Sequence, residues 1–178
     1  HVTGLLVQLG MPSAQLRIEV APAGELRADG ADLIRFLFTA NRNTSLQPIE
    51  KVASGGEMSR LMLSLKALVA AHAQLPTIIF DEIDTGVSGA IADKMGEIIT
   101  NLSGSLQVVN ITHLPQVASK GDHHFLVYKE ETPEGTLSRI RKLSSEARVA
   151  EIAKMLSGSA VTAAATEQAR LLLGMEKL

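Results

Sequence analysis

Two short apolar runs constrain this chain most. Residues 77–80 (TIIF) and 106–111 (LQVVNI) are rich in β-branched side chains and too short for helices, so both read as strands. Between them, Ile91, Met95, Ile98, Ile99 and Leu102 fall at helical spacing over residues 90–102. A strand, a helix and a second strand at this spacing form a crossover unit, and a crossover joins parallel strands. Strands that are apolar throughout belong to sheets covered on both faces. Both runs are therefore expected to be buried on either side, with any ligand chemistry gathered at their carboxyl ends.

The flanks fit around that unit. The clearest helix is 57–72, where Met58, Leu61, Met62, Leu65, Leu68 and Val69 make one stripe and Ser54, Gly55 and Gly56 mark the start. Residues 15–20 and 33–40 read as antiparallel strands, with 21–32 as their connection because it holds Pro22, Gly24 and Gly30. Downstream come a short helix in 114–119 and a β-hairpin from 125–129 and 137–143 around Pro133, Glu134 and Gly135. The end is helical, with a stripe of Val149, Ile152, Ala153 and Leu156 and a last helix over 162–173. The fold class is α/β: a mostly parallel sheet flanked by helices, with antiparallel strands at the ends. The chain opens on His1, and residues 2–9 are helix-compatible up to a stop at Gly10, Met11 and Pro12. We read 1–10 as the end of a longer helix and 11–178 as one domain.

Composition excludes several function classes. Hydrophobic residues make up 46% and charged residues 20%, the make-up of a packed domain. A net charge of −2 gives no overall basic field of the kind that marks a nucleic-acid binder. The small basic strand of Arg139, Arg141 and Lys142 reads as a solvated face. No cysteine occurs, so disulfides, thiolate metal sites and cysteine nucleophiles are out. No apolar run approaches the roughly 18 residues of a membrane span.

Four places carry chemistry. The first apolar strand runs into Asp81 and Glu82. Two adjacent anions at a crevice repel unless a cation or a proton joins them. Asp81 is suited to hold Mg²⁺ and Glu82 to take a proton from an attacking water; a helix cap is the structural alternative. The second strand runs into Thr112 and His113, and His113 can reach the same crevice to donate a hydrogen bond to a phosphate oxygen, or simply be structural. Ser54, Gly55, Gly56 and Glu57 stand at the mouth of the best helix, where free amides and the dipole favour an anion; an ordinary serine cap reads the same. Asp84, Thr85, Gly86, Ser88 and Gly89 read as a tight polar loop. His123 and His124, taken as neighbours in a strand, point to opposite faces and are not joint metal ligands.

Taken in order, these motifs resemble one family. KVASGGEMSR resembles the ABC signature, TIIFDE a Walker B strand with its catalytic acid, DTGVSG the D-loop, and NITHLPQVA the switch-histidine segment. The longer run, through HHFLVYK and EARVAEIAKMLSG, resembles the C-terminal lobe of a P-loop ATPase head of the SMC-like class, in particular its DNA-repair branch. The resemblance extends from about Gly10 to the C-terminus.

The resemblance implies an ATPase that works as a dimer of heads with nucleotide between them, in the bacterial cytoplasm at the nucleoid, during recombinational repair of DNA double-strand breaks. It implies ATP and Mg²⁺ as cofactors, Asp81 on the metal, Glu82 as the group that orients and deprotonates water, and His113 on the γ-phosphate. It implies Ser54, Gly55, Gly56 and Glu57 at the ATP of a partner head, with Asp84 acting across the same interface. No G-x-x-x-x-G-K-[ST] motif occurs in the 178 residues. The resemblance puts that loop in an N-terminal Walker A lobe across a coiled coil, of which residues 1–10 would be the end. The partners implied are that lobe, a second head and DNA, with no membrane, and the chain alone is expected to bind ATP weakly and turn it over negligibly. The alternatives are a head lobe of another SMC or nuclease-associated ATPase, or a non-catalytic dimerisation module.

Overall fold

The computed structural model describes residues 1–51, 54–133, 135–158 and 160–175. Val52 and Ala53 of the signature run and Glu134 of the hairpin turn lie outside the described residues. The first helix, α1 (Val2–Gln8), buries Val2 and Leu6 against Met11, Ala14, Phe38 and Leu61. Leu9, just past its end, is fully buried in a second cluster with Leu63, Phe80 and Met95. The opening helix therefore shares its core with the rest of the lobe.

An antiparallel sheet follows, built from β1 (Gln15–Arg27), β2 (Gly30–Thr39) and β3 (Gln47–Pro48) in that order. Its hairpin is longer than the sequence pattern indicates. The stretch expected to be a connection, 21–32, is mostly strand, with a register shift between Pro22 and Arg27. β1 is an edge strand, where a proline removes no ladder bond from a neighbour, and the shift absorbs the rest.

The long helix α2 (Gly55–Ala73) leads into β4 (Thr77–Asp81), α3 (Gly89–Ser103) and β5 (Gln107–Ile111). The two strands are parallel, paired from Thr77 with Gln107 to Asp81 with Ile111, as the crossover requires. Phe80 is fully buried among Leu63 of α2 and Ala92, Met95 and Ile98 of α3.

The α/β class holds, and one expectation, burial of the strand pair on both faces, needs correction. The parallel part amounts to this one pair among the described residues, and the other two sheets are antiparallel. The pair is also covered on one face only. Ile78, Phe80 and Val108 turn to the helices, whereas Ile79 is 60%, Val109 43% and Ile111 50% exposed. Strand alternation puts these three on one open face.

The remainder is α4 (Pro115–Ala118), the hairpin β6 (Phe125–Thr132) with β7 (Gly135–Lys142), α5 (Ser145–Ser157) and α6 (Ala163–Leu172). Ser144 caps α5 and Thr162 caps α6, and Ile152 and Ala153 pack on Ala165 and Ala169. The basic strand is exposed: Arg139 pairs with Glu130 at 2.7 Å, and Arg141 stacks over the Tyr128 ring. His123 and His124 sit in the bend before β6 rather than in a strand.

Candidate functional site

β4 delivers two acids to its carboxyl end by different means. Asp81 is its last residue, exposed, and makes no ion pair among the described residues. Glu82 follows with φ +46°, a left-handed backbone that a side chain with a Cβ adopts at a cost of roughly 1–2 kcal/mol. Three hydrogen bonds hold it there. The Glu82 amide donates to the carbonyl of Ile111 at 3.1 Å, and the Glu82 carbonyl accepts from the amide (3.2 Å) and the hydroxyl (2.9 Å) of Thr85. Strain fixed this firmly is characteristic of functional positions. It turns the chain sharply off the strand and leaves the Glu82 carboxylate exposed.

β5 ends one rung away. Asp81 pairs with Ile111, and the bond from Glu82 to Ile111 continues that register past the strand end. His113 lies two residues beyond Ile111 and is exposed. The fold thus brings Asp81, Glu82 and His113 to the same end of the same strand pair. Asp81 and Glu82 also line a cleft of about 210 Å³ with Met58, Ser59, Met62 and Lys66 of α2. That is below the roughly 300–1,000 Å³ of a site that encloses a small molecule.

The glycine-rich start of α2 does two jobs rather than one. Ser54 is the N-cap, its hydroxyl oxygen accepting from the Glu57 amide at 3.4 Å, and its hydroxyl proton has no acceptor among the described residues. Ser54 and Gly55 are exposed, with nothing in the space a Gly55 side chain would fill. Glu57 stands in the first turn, half-buried, where a carboxylate offsets the helix dipole. Gly56 differs. It is buried, and a Cβ there would stand 2.6 Å from the carbonyl oxygen of Gly86. Its missing side chain admits the polar loop of its own chain. Gly86, at φ +74°, supplies the matching bend, and Ser59 Oγ donates to the Thr85 carbonyl at 3.3 Å alongside.

Asp84 is held within its own lobe. It is 1% exposed, and its Oδ2 accepts a hydrogen bond from Thr112 Oγ1. That partner lies 28 positions further on. Sequence reasoning passes over Ser59, and it names Thr112 and Gly86 without giving either a part in holding the site together. Only Gly86 has a local sign, a glycine within a turn.

His124 is half-buried, its Nε2 3.4 Å from Nη2 of Arg148, whose guanidinium donates to the carbonyls of Gly121 (2.7 Å) and Asp122 (3.1 Å). Burial first, and the Arg148 charge second, hold the His124 pKa below its usual value. It sits away from the acid pair, in the bend before β6.

The chemistry of the donor set can be tested against ATP and Mg²⁺. Asp81 is a single exposed carboxylate with no ion pair among the described residues. That suits Mg²⁺, which takes one or two carboxylates and completes its shell with phosphates and water. The helix start at Ser54 and Gly55 suits a phosphate oxygen.

Comparison with known proteins follows the same line. The chain is 41% identical over 167 residues to the DNA repair protein RecN of Vibrio cholerae, covering 93% of this chain. It is 43% identical over 149 residues to RecN of Bacillus subtilis, covering 84% of it. The chain is a RecN-type sequence. It spans about 30% of the length of the Vibrio cholerae relative, matching the C-terminal part of RecN. No family model matches. Among solved structures, a chain from a study of ATP-driven dimerization and DNA-stimulated activation of SMC ATPases superposes with a TM-score of 0.62 at 18% identity, covering 89% of this chain and 91% of that one. The Smc head domain of Pyrococcus yayanosii superposes with a TM-score of 0.65 at 21% identity, covering 85% of this chain and 27% of that one. The RecN-type chain therefore has the fold of an SMC ATPase head.

Proposed function

We propose that this chain is the C-terminal lobe of a RecN-type ATPase head, which binds and hydrolyses ATP in a head dimer during recombinational repair of DNA double-strand breaks in the bacterial cytoplasm. One observation carries the reading. The carboxyl end of the β4–β5 pair presents Asp81, Glu82 and His113 together, beside an apolar sheet face (Ile79, Val109, Ile111) left open. A second lobe covering that face would bring its own phosphate-binding loop to the three residues that lack one. The partners follow: an N-terminal Walker A lobe on the open face, a second head at the start of α2, and DNA bound by the complete protein. No helix among the described residues is long and apolar enough to cross a membrane.

Phosphoryl transfer needs placement and charge stabilisation more than covalent chemistry. Asp81 would hold Mg²⁺, which when bound neutralises charge on the phosphate oxygens. Glu82, fixed by its backbone, orients the attacking water and takes its proton. His113 donates a hydrogen bond to a γ-phosphate oxygen. Ser54, through its hydroxyl proton, and Gly55, through its amide, approach the γ-phosphate held by a partner head, with Glu57 behind them. Gly56 supports this set by closing against Gly86, and Asp84 by its inward bond. The strain at Glu82 favours this reading over a dimerisation module, because a scaffold gains nothing from it.

The test is Glu82→Gln in the complete protein. ATP binding is expected to persist while kcat falls about a hundredfold or more, the usual weight of a general base. An unchanged kcat overturns the role of Glu82. The 178-residue chain by itself is expected to show negligible turnover, and robust hydrolysis by it refutes the need for a second lobe.

A further inference from the structure

Two cross-links tie the turn after β4 to the turn after β5. One is the bond from the Glu82 amide to the Ile111 carbonyl. The other is made by Thr112, which donates its hydroxyl proton to Asp84 Oδ2, while its oxygen accepts the amide of Leu114 at 3.0 Å. A hydroxyl that accepts from the amide two residues on closes a tight turn, and the residue enclosed by it is His113. The anchor is firm because Asp84 is 1% exposed. Its other oxygen, Oδ1, has no hydrogen-bond partner among the described residues, so Thr112 is the only side chain recorded on this carboxylate.

From this geometry we infer that Thr112 is a positioning residue for hydrolysis. Its hydroxyl, clamped on the buried Asp84, fixes the backbone of His113 relative to Glu82, so that both meet the same phosphate. This rests on the ATPase reading above, and it gives Asp84 a role within its own lobe. The two ends of the clamp belong to different motifs: Asp84 stands two residues after Glu82, and Thr112 one residue before His113. Neither side chain needs to touch nucleotide. Misplacing a reacting group by about 1 Å costs on the order of a hundredfold in rate, so a positioning bond shows in kcat.

The experiment compares Thr112→Val and Thr112→Ser in the complete protein, with Glu82→Gln as reference. Val keeps the shape and removes both hydrogen bonds; Ser keeps the hydroxyl and removes the methyl. Thr112→Val is expected to lower kcat at least tenfold with KM for ATP within about twofold, and Thr112→Ser to stay within about threefold of the wild type. A further cycle with Asp84→Ala is expected to show that, once Thr112 is Val, losing Asp84 lowers kcat little more. A folded Thr112→Val with wild-type kcat overturns the inference while leaving the Glu82 reading intact, provided Glu82→Gln is inactive. A Thr112→Ser variant slowed tenfold or more against the wild type also overturns it, because the methyl and not the hydroxyl would then matter. That second comparison stands even if the Val variant does not fold. A wild-type complete protein without ATPase activity removes the reading on which the inference rests.

Discussion

Replacing Glu82 tests the backbone of the site without any nucleotide. At φ +46° a residue with a Cβ carries roughly 1–2 kcal/mol of strain that glycine does not. Glycine in turn loses about 0.5–1 kcal/mol relative to alanine through the freedom of its unfolded chain. At the midpoints of these ranges the difference leaves Glu82→Gly more stable than Glu82→Ala by about 0.75 kcal/mol. The strain cannot relax by rotation, because the Glu82 amide is bonded to Ile111 and its carbonyl to Thr85. For a chain of this size 1 kcal/mol moves Tm by about 2–4 °C, so the expected gap is about 1.5–3 °C. Equilibrium urea unfolding of the two variants gives the free energy directly, with unchanged slope as the check that both unfold alike. The control is Ala71→Gly on the exposed side of α2, where glycine is expected to cost about 1 kcal/mol, the opposite sign. If Glu82→Ala proves as stable as Glu82→Gly or more so, the left-handed turn stores no strain. The argument that function maintains it then fails.

Three further outcomes follow from the same structure. Gly56→Ala puts a methyl group 2.6 Å from the Gly86 carbonyl and is expected to cost about 1–3 kcal/mol, whereas Gly55→Ala, facing open space, stays within about 0.5 kcal/mol; thermal unfolding of the pair decides. Because the folded His124 pKa lies below its unfolded value near 6.5, the unfolded state binds the proton more readily. Stability is full above that value and declines as pH falls towards the lowered folded pKa; His124→Gln is expected to flatten the pH dependence in that window, and an unaltered slope refutes the assignment. In the complete protein, Ser54→Arg is expected to abolish ATP-dependent dimers in light scattering while ATP binding stays within about twofold; normal dimers would exclude Ser54 from the head interface.

Local pattern carries the fold where local physics decides it. Residues 57–72 sit inside α2 because their apolar stripe and the serine cap agree, and β4, α3 and β5 form because periodicity switches cleanly from strand to helix and back. The hairpin fails this test for a reason that is not local. Pro22 and Gly24 break strands in general, but β1 is an edge, and an edge strand with a register shift accommodates them. The strand pair misleads in the other direction. Ile79, Val109 and Ile111 read as a strand pair covered on two faces, and among the described residues only one face is covered; the second cover is what the proposed N-terminal lobe would supply. A sequence reports the burial of the whole assembly, which a chain spanning part of its relatives shows incompletely.

The site divides along the same line. Asp81, Glu82 and His113 are legible because each ends an apolar run, and strand ends are where such sheets place chemistry. What holds them is not legible. The clamp from Thr112 to Asp84 spans 28 residues and the Gly56–Gly86 contact 30, and neither leaves a spacing that a motif could encode. Asp84 shows the consequence. In DTGVSG it is one more polar loop residue; only the fold shows its bond to Thr112. The loop 82–86 therefore acts as the joint of the lobe. Glu82 begins it under strain, Asp84 fastens it to the histidine turn, and Thr85 and Gly86 fasten it to the start of α2. A substitution inside this joint should disturb the acid pair, the histidine and the helix start together. One at Ser54 or His113, at its exposed ends, should disturb a single contact.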